Sequence, residues 1–226
     1  MKKKITAVVI SICIPIVMLL TITQFMVEWD EFFLEQYQIN GVVEATKIQL
    51  DELMNITEEI QAYLLGNRED FAITGVVDGK AGQVFNEREI IHMEDVQKLF
   101  KSGMILRNIC VIIIIVIGLF LWKTDKKVLF RSMKFSAIGF VSTVLILAGL
   151  LISDFDRYFN LFHEIFFSND YWILDPESSV LVNMVNLNFF INIVARILGF
   201  SCLIMSSVGI VGTVMLKKEG NYVRER

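Results

Sequence analysis

The sequence predicts an all-α membrane protein with four transmembrane helices, a structured extracytoplasmic loop domain, and both termini in the cytoplasm. Three observations carry this prediction. The chain of 226 residues is 54% hydrophobic and has a mean hydropathy of +0.57, beyond what a water-soluble domain of this length carries. Four apolar runs, 5–27, 104–122, 133–153 and 189–216, each approach or exceed the roughly 20 residues that cross a hydrocarbon core about 30 Å thick. Basic residues crowd one set of connecting segments and acidic residues the other.

Each element follows in order. Lys2, Lys3 and Lys4 precede the first run and give it the look of a signal peptide. The run is too long for a signal h-region and no A-x-A cleavage site follows it. Ile10-Ser11-Ile12 before Cys13 is a poor lipobox, so an uncleaved first span is expected. Segment 28–103 carries 16 acids and 6 bases, and segment 154–188 carries six acids and only Arg157. The short segment 123–132 and its flanks hold Lys123, Lys126, Lys127, Arg131 and Lys134, and the tail 217–226 holds Lys217, Lys218, Arg224 and Arg226. The positive-inside rule then places the termini and the short segment in the cytoplasm and both acidic segments outside. The net charge of −4 hides this asymmetry.

Within 28–103, Asn55-Ile56-Thr57-Glu58 fits a capping box with Asn55 as N-cap, and the helix 56–65 behind it should stop at Gly66-Asn67. The same residues match a glycosylation sequon, but capping explains them better. Asp78-Gly79 suggests a turn between two extended pieces, 72–77 and 80–85. Asn86-Glu87-Arg88-Glu89 offers a second capping box. Its helix should run from Glu87 to about Lys101 and break at Ser102-Gly103 before the second span.

Candidate chemistry is sparse. Cys13, Cys110 and Cys202 all lie in apolar runs and read as small packing residues. No nucleophile elbow, HExxH spacing, phosphate-cradling loop or basic nucleic-acid footprint occurs. Two His plus one carboxylate could bind zinc only if folding brings them together; no metal or cofactor is expected, and no nucleic-acid partner. The chain's two histidines, His92 and His163, both fall on the outer side. At about 100° per residue, His92 shares a helix face with Arg88, Asp95, Val96 and Leu99, so Asp95 is in reach of the imidazole. His163 sits in the aromatic run 158–167 followed by Tyr171-Trp172, the composition of a membrane–water interface. That depth is near the glycerol esters of lipids. Arg107, near the outer end of its run, can snorkel. Arg196 lies about two turns inside the last run, where a charge is paired or functional.

Two segments resemble a known family. Residues 85–100, containing Arg88-Glu89-Ile90-Ile91-His92-Met93-Glu94-Asp95-Val96, are similar to the "REIxHMxDVxxLF" block of the lipoprotein intramolecular transacylases (Lit). Residues 162–176, running from Phe162-His163 through Ser168-Asn169-Asp170-Tyr171-Trp172 to Asp175-Pro176, are similar to that family's "FHxxFFxNDxW" block. The stretch 56–71 and the four-span layout fit as well. One departure is Asn186-Leu187-Asn188 ahead of Phe189-Phe190, where the family often shows a Pro-Glu-like pair.

The resemblance implies a substrate and a reaction. A bacterial lipoprotein whose N-terminal Cys carries a diacylglyceryl thioether would have its sn-2 acyl chain moved onto the Cys α-amino group, giving the lyso form. His92 and His163 would be essential. Arg88, Asp95, Tyr158, Glu164, Asn169, Asp170, Trp172, Asp175 and Arg196 are the candidate supporting residues around them in the sequence. The chemistry suits imidazole: an α-amino group of pKa about 7.7–8.0 must shed a proton to attack, and a group near pKa 6.5 is matched to take it. Ester to amide is downhill, so no ATP or other cofactor is expected. Membrane lipid is an expected partner, and a monomer is expected. Two other readings compete: a non-enzymatic membrane sensor or assembly factor that binds through its acidic loop, and a metal-dependent membrane hydrolase.

Overall fold

The computed structural model describes residues 2–224. Met1, Glu225 and Arg226 lie outside the described residues, as do the side chains of Lys2 and of residues 221–224, so the expectation for the basic tail falls partly there. The chain folds as α1 (Lys2–Val27), α2 (Asp30–Ile39), α3 (Val42–Thr46), α4 (Leu50–Leu65), β1 (Thr74–Val77), β2 (Lys80–Gln83), α5 (Glu87–Thr124), α6 (Lys126–Ser153), α7 (Phe155–Phe166), α8 (Val180–Met184) and α9 (Leu187–Arg224). Among the described residues four helices, α1, α5, α6 and α9, are long and apolar enough to cross a membrane. The chain divides into two compact units.

The first unit holds residues 1–24, 104–153 and 196–226. Its helices pack through small side chains, as helices do where lipid removes the hydrophobic drive for association. Cys13, Val17 and Cys110 form a buried cluster with Ile16 and Ile114 against it. All three cysteines are free thiols. Two serine hydrogen bonds tie α1 to α6: Ser136 Oγ donates to the Ser11 carbonyl (2.9 Å) and Ser11 Oγ to the Ser132 carbonyl (3.2 Å). On α9, a Cβ at Gly209 would meet the Ala137 Cβ at 2.7 Å, and one at Gly212 would meet the Phe130 carbonyl at 2.8 Å. Glycine at these two positions lets α9 approach α6 backbone to backbone. Lys3 and Asp125 form an ion pair at 2.8 Å. Asp125 is the single residue between α5 and α6, so segment 123–132, read from its charges as a loop, is helical almost throughout.

The second unit holds residues 25–103 and 154–195. Aromatic and aliphatic side chains of α2, α4 and the segments that lead into β1 and α5 make its core, with Phe32, Tyr37, Leu53, Ile56, Tyr63, Phe71 and Phe85 buried. Tyr63, Phe71 and Phe85 stack in sequence at centroid distances of 5.0 and 4.8 Å. The Tyr37 hydroxyl and Thr57 Oγ1 share a hydrogen bond of 2.7 Å, which satisfies the buried phenol. Gln97 Nε2 donates to the Tyr63 carbonyl at 2.6 Å and ties α5 to α4.

Gly66 adopts φ +82° and ends α4 as its αL cap, donating to the Ala62 and Tyr63 carbonyls. Asp78 and Gly79 both have positive φ, the backbone of a two-residue hairpin turn between β1 and β2. The regular structure is otherwise helical, so all-α holds apart from the eight strand residues of this hairpin. The capping box at Asn86 forms: Asn86 N donates to Glu89 Oε2 (2.7 Å) and Glu89 N to Asn86 Oδ1 (3.1 Å).

Two expectations are corrected. Asn55 is not an N-cap. α4 begins at Leu50, with Gln49 at the N-cap position but without a side-chain cap, because Leu53 and Ile56 extend its buried face backwards and Asp51 and Glu52 suit the first turn. Ser102-Gly103 does not break α5, which runs unbroken over 38 residues. One glycine costs a helix only about 1 kcal/mol, and Ser102 Oγ returns a hydrogen bond to the Lys98 carbonyl (2.7 Å).

Candidate functional site

The two imidazoles meet inside the second unit. His92 lies one and a half turns into α5, behind the Asn86–Glu89 cap and ahead of the apolar stretch that starts at Met104. His163 lies on α7, whose start is fixed by Asp154, its side chain accepting from Arg157 N. The ring centroids of His92 and His163 are 6.2 Å apart. Phe167 packs against both rings at 5.5 Å. Phe159, one helical turn before His163, sits 4.2 Å from its ring, and Trp172 stacks on it at 4.8 Å. His163 is 8% exposed. The sequence signal for Phe159 is its i−4 spacing, which puts it on the same face of α7.

Hydrogen bonding fixes one tautomer. His163 Nδ1 lies 2.7 Å from the Phe159 carbonyl oxygen. A carbonyl only accepts, so in the neutral ring Nδ1 carries the proton and Nε2 keeps its lone pair. Burial lowers the pKa of His92 from 6.5 to about 4, the neighbouring His163 pushes it the same way, and Asp95 opposes. Burial also lowers His163, against the Phe159 carbonyl, which favours the protonated ring. Both rings are therefore neutral at pH 7.

The first turns of α5 also hold the segment that follows α7. Arg88 Nε donates to the Ile173 carbonyl (3.1 Å) and a terminal nitrogen to the Asp170 carbonyl, while the guanidinium lies 5.5 Å from the centre of the Tyr171 ring. Glu89 is buried, 1% exposed, and accepts from Ser179 Oγ (2.6 Å) and Leu181 N (2.7 Å) through Oε1. Sequence reasoning gave Glu89 only its capping role. Its other partners lie 90 and 92 residues away, and no local pattern announces them.

Asp95 differs from expectation. It makes no hydrogen bond to His92; its oxygens accept from Asn169 Nδ2 (2.8 Å) and Lys98 Nζ (2.9 Å). Those bonds hold its carboxyl below the usual range, the Asn169 bond contributing most. A recess of about 270 Å³ lies here, lined by Asp95, Lys98, Leu99, Ser102 and residues 166–169.

The structure thus gathers His92, His163, Trp172, Asp95, Asn169, Arg88 and the Asp170 backbone. Other candidates sit elsewhere. Tyr158 packs under Arg157 (5.9 Å), and Glu164 is exposed on α7. Asp175 caps a turn, accepting from Glu177 N at 3.0 Å. Arg196 belongs to the first unit, where it lines a cavity of about 400 Å³ along α9 with Phe200 and Leu203. Among the described residues, no three His, Cys, Asp or Glu side chains converge as a metal site needs.

Comparison with known proteins gives the chain's family and fold. The family model described as lipoprotein intramolecular transacylase Lit matches residues 8–190. A solved structure of the membrane-integral lipoprotein intramolecular transacylase Lit from Bacillus cereus matches with a TM-score of 0.81 at 18% identity, covering 100% of this chain and 99% of that one. A histidine-to-arginine variant of that protein matches with a TM-score of 0.74 at 18% identity, covering 99% and 94%. A histidine-to-alanine variant matches with 0.76 at 19% identity, covering 96% and 95%. These likenesses show a shared fold. No match was found among curated proteins.

Proposed function

The chain belongs to the lipoprotein intramolecular transacylase family, and on that premise we propose that His92 and His163 form its reaction centre. As a member of the family it is a multi-pass membrane enzyme, an acyltransferase that acts on a lipoprotein. It moves the sn-2 acyl chain of the diacylglyceryl-Cys onto the Cys α-amino group.

The single observation that carries the assignment is the 6.2 Å separation of the two imidazoles, His163 buried and His92 half-buried. One ester carbonyl fits within reach of both rings. The α-amine attacks as the free base. As the N–C bond forms, the amine proton passes to His163 Nε2, the nitrogen left open by the Nδ1–carbonyl bond. The Phe159 carbonyl stabilises the imidazolium through Nδ1–H. His163 then gives that proton to the glyceryl oxygen as the C–O bond breaks. His92, neutral through burial, serves as a hydrogen-bond donor to the carbonyl oxygen as it gains charge, a task a neutral imidazole can perform. Nucleophile and ester belong to one molecule, so much of the acceleration comes from holding a near-attack geometry. The reaction needs no cofactor.

The site faces the extracytoplasmic side with its substrate's glycerol esters at the membrane interface, segments 28–103 and 154–188 lie outside, and both termini are cytoplasmic. The charge asymmetry and the aromatic run around His163 support this orientation. Both imidazoles come from one chain, which supports a monomer as the working unit. Lipoprotein mass spectrometry of cells expressing wild type, His92→Ala or His163→Ala tests the assignment. Each variant is expected to lose transfer by about 10²–10⁴-fold. Unchanged lyso-form product in both would remove the pair from the mechanism.

A further inference from the structure

Asp95 makes no hydrogen bond to either imidazole, and both its hydrogen bonds lie at the recess beside them. Asn169 supplies one of its two hydrogen bonds and is itself fixed, because Tyr171 N donates to Asn169 Oδ1 at 3.1 Å. The carboxylate is thereby oriented before any ligand arrives. Its other bond goes to Lys98, whose side chain is 71% exposed against 21% for Asp95. So exposed an ion pair adds little, and a cation presented inside the recess displaces the lysine at small cost.

The surroundings suit one kind of cation. Leu99, Phe166 and Phe167 make the walls apolar, while Ser102, Ser168 and Asn169 add neutral polar groups. Phe167 is also the ring that packs on both His92 and His163, so the recess shares a wall with the reaction centre. The other titratable groups whose fields reach this carboxylate or its lysine are His92 and Glu94 on α5 and Tyr63 on α4. The substrate of the proposed transfer carries a single fixed place for positive charge near its ester: the Cys α-amino group, mostly an ammonium at pH 7.

We infer that the recess is the subsite for the α-ammonium of the lipidated Cys, with the Asp95 carboxylate as its counter-ion in place of Lys98. This rests on the acyl-transfer reading of the imidazole pair. The docked ammonium sheds one proton to the water that reaches this exposed recess and then attacks as the amine. Transfer turns the nitrogen into a neutral amide. The charge that Asp95 held is gone, Lys98 closes back on the carboxylate, and substrate is distinguished from product by charge alone.

The probe is a dialkylglyceryl-Cys peptide whose chains are ether-linked, so that no ester is available for transfer. Binding to the full chain in lipid nanodiscs is measured for the free amine and for its N-acetylated counterpart, which mimics the product. Wild type is expected to prefer the free amine by about tenfold. Asp95→Asn is expected to bind the two alike, with affinity for the acetylated peptide unchanged. That unchanged affinity is also the check that the variant is folded, since Asn can still accept from Asn169. A preference retained in Asp95→Asn, or no preference in wild type, overturns the subsite. The catalytic assignment fails separately: an active His92→Ala and His163→Ala would sink that reading whatever Asp95→Asn does. Loss of turnover in His163→Ala with amine discrimination intact supports both.

Discussion

A neutral imidazole carries a cost that pH exposes. In the unfolded chain His92 titrates at its ordinary 6.5, and in the fold burial lowers it to about 4. The folded state therefore binds fewer protons between these values, and stability must fall as pH falls. The contribution is fully present above pH 6.5 and is lost progressively toward pH 4, amounting to about 3 kcal/mol across the interval. Thermal unfolding in detergent between pH 7 and 5.5, where carboxylates stay ionised, is expected to show a falling midpoint in wild type and a flatter one in His92→Gln. A wild-type midpoint constant over that range would mean that the ring is not buried neutral. His92 and His163 were legible in the sequence as the only histidines of a chain with few other reactive groups. Their tautomer and neutrality were not, because both depend on a carbonyl and on aromatic rings supplied by the folded α7 and the segment behind it.

At the scale of elements, α5 does two jobs at one end. Its capping box was readable from Asn86 and Glu89 three residues apart, a local pattern with a local cause. The second use of Glu89, gripping Ser179 and Leu181, orders the segment that brings Trp172 onto His163. Glu89→Ala leaves the Leu181 N–H without its acceptor and is expected to cost about 3 kcal/mol, with a matching loss of acyl-transfer rate. Glu89→Gln keeps a carbonyl acceptor and should recover part of both. Thermal midpoints and single-turnover rates measure the two, and an alanine variant indistinguishable from wild type would show that the grip does not position the site. The misread elements have local causes too. Asn55 with Glu58 imitates a helix start, yet the buried face of α4 runs through Leu53, and tertiary burial outweighs one cap. Ser102-Gly103 imitates a helix stop, yet the penalty of one glycine is small beside the bonds of an α5 continuous on both sides.

For the whole molecule, charge is the readable quantity. Lipid leaves the backbone of a spanning segment only helix or closed barrel, so four long apolar runs must be helices wherever their side chains point. The proposed orientation is checked by cysteine labelling with Cys13, Cys110 and Cys202 replaced by alanine. Glu94→Cys is expected to react with a membrane-impermeant maleimide in intact cells. Lys217→Cys should react only after permeabilisation. The reverse pattern would place the imidazoles on the cytoplasmic side.

Hydropathy, charge placement and local capping by themselves determined the four helices, the turn at Asp78-Gly79 and the start of α5, because each is set by solvent transfer or by residues within one helical turn. The family blocks added the reaction. Tertiary structure alone decided that two imidazoles 71 residues apart lie 6.2 Å from each other, that Glu89 grips a distant segment, and that Asp95 turns to Asn169 and Lys98 instead of His92. Those contacts join residues far apart in sequence, and periodicity says which face a side chain occupies but not what the fold brings against it.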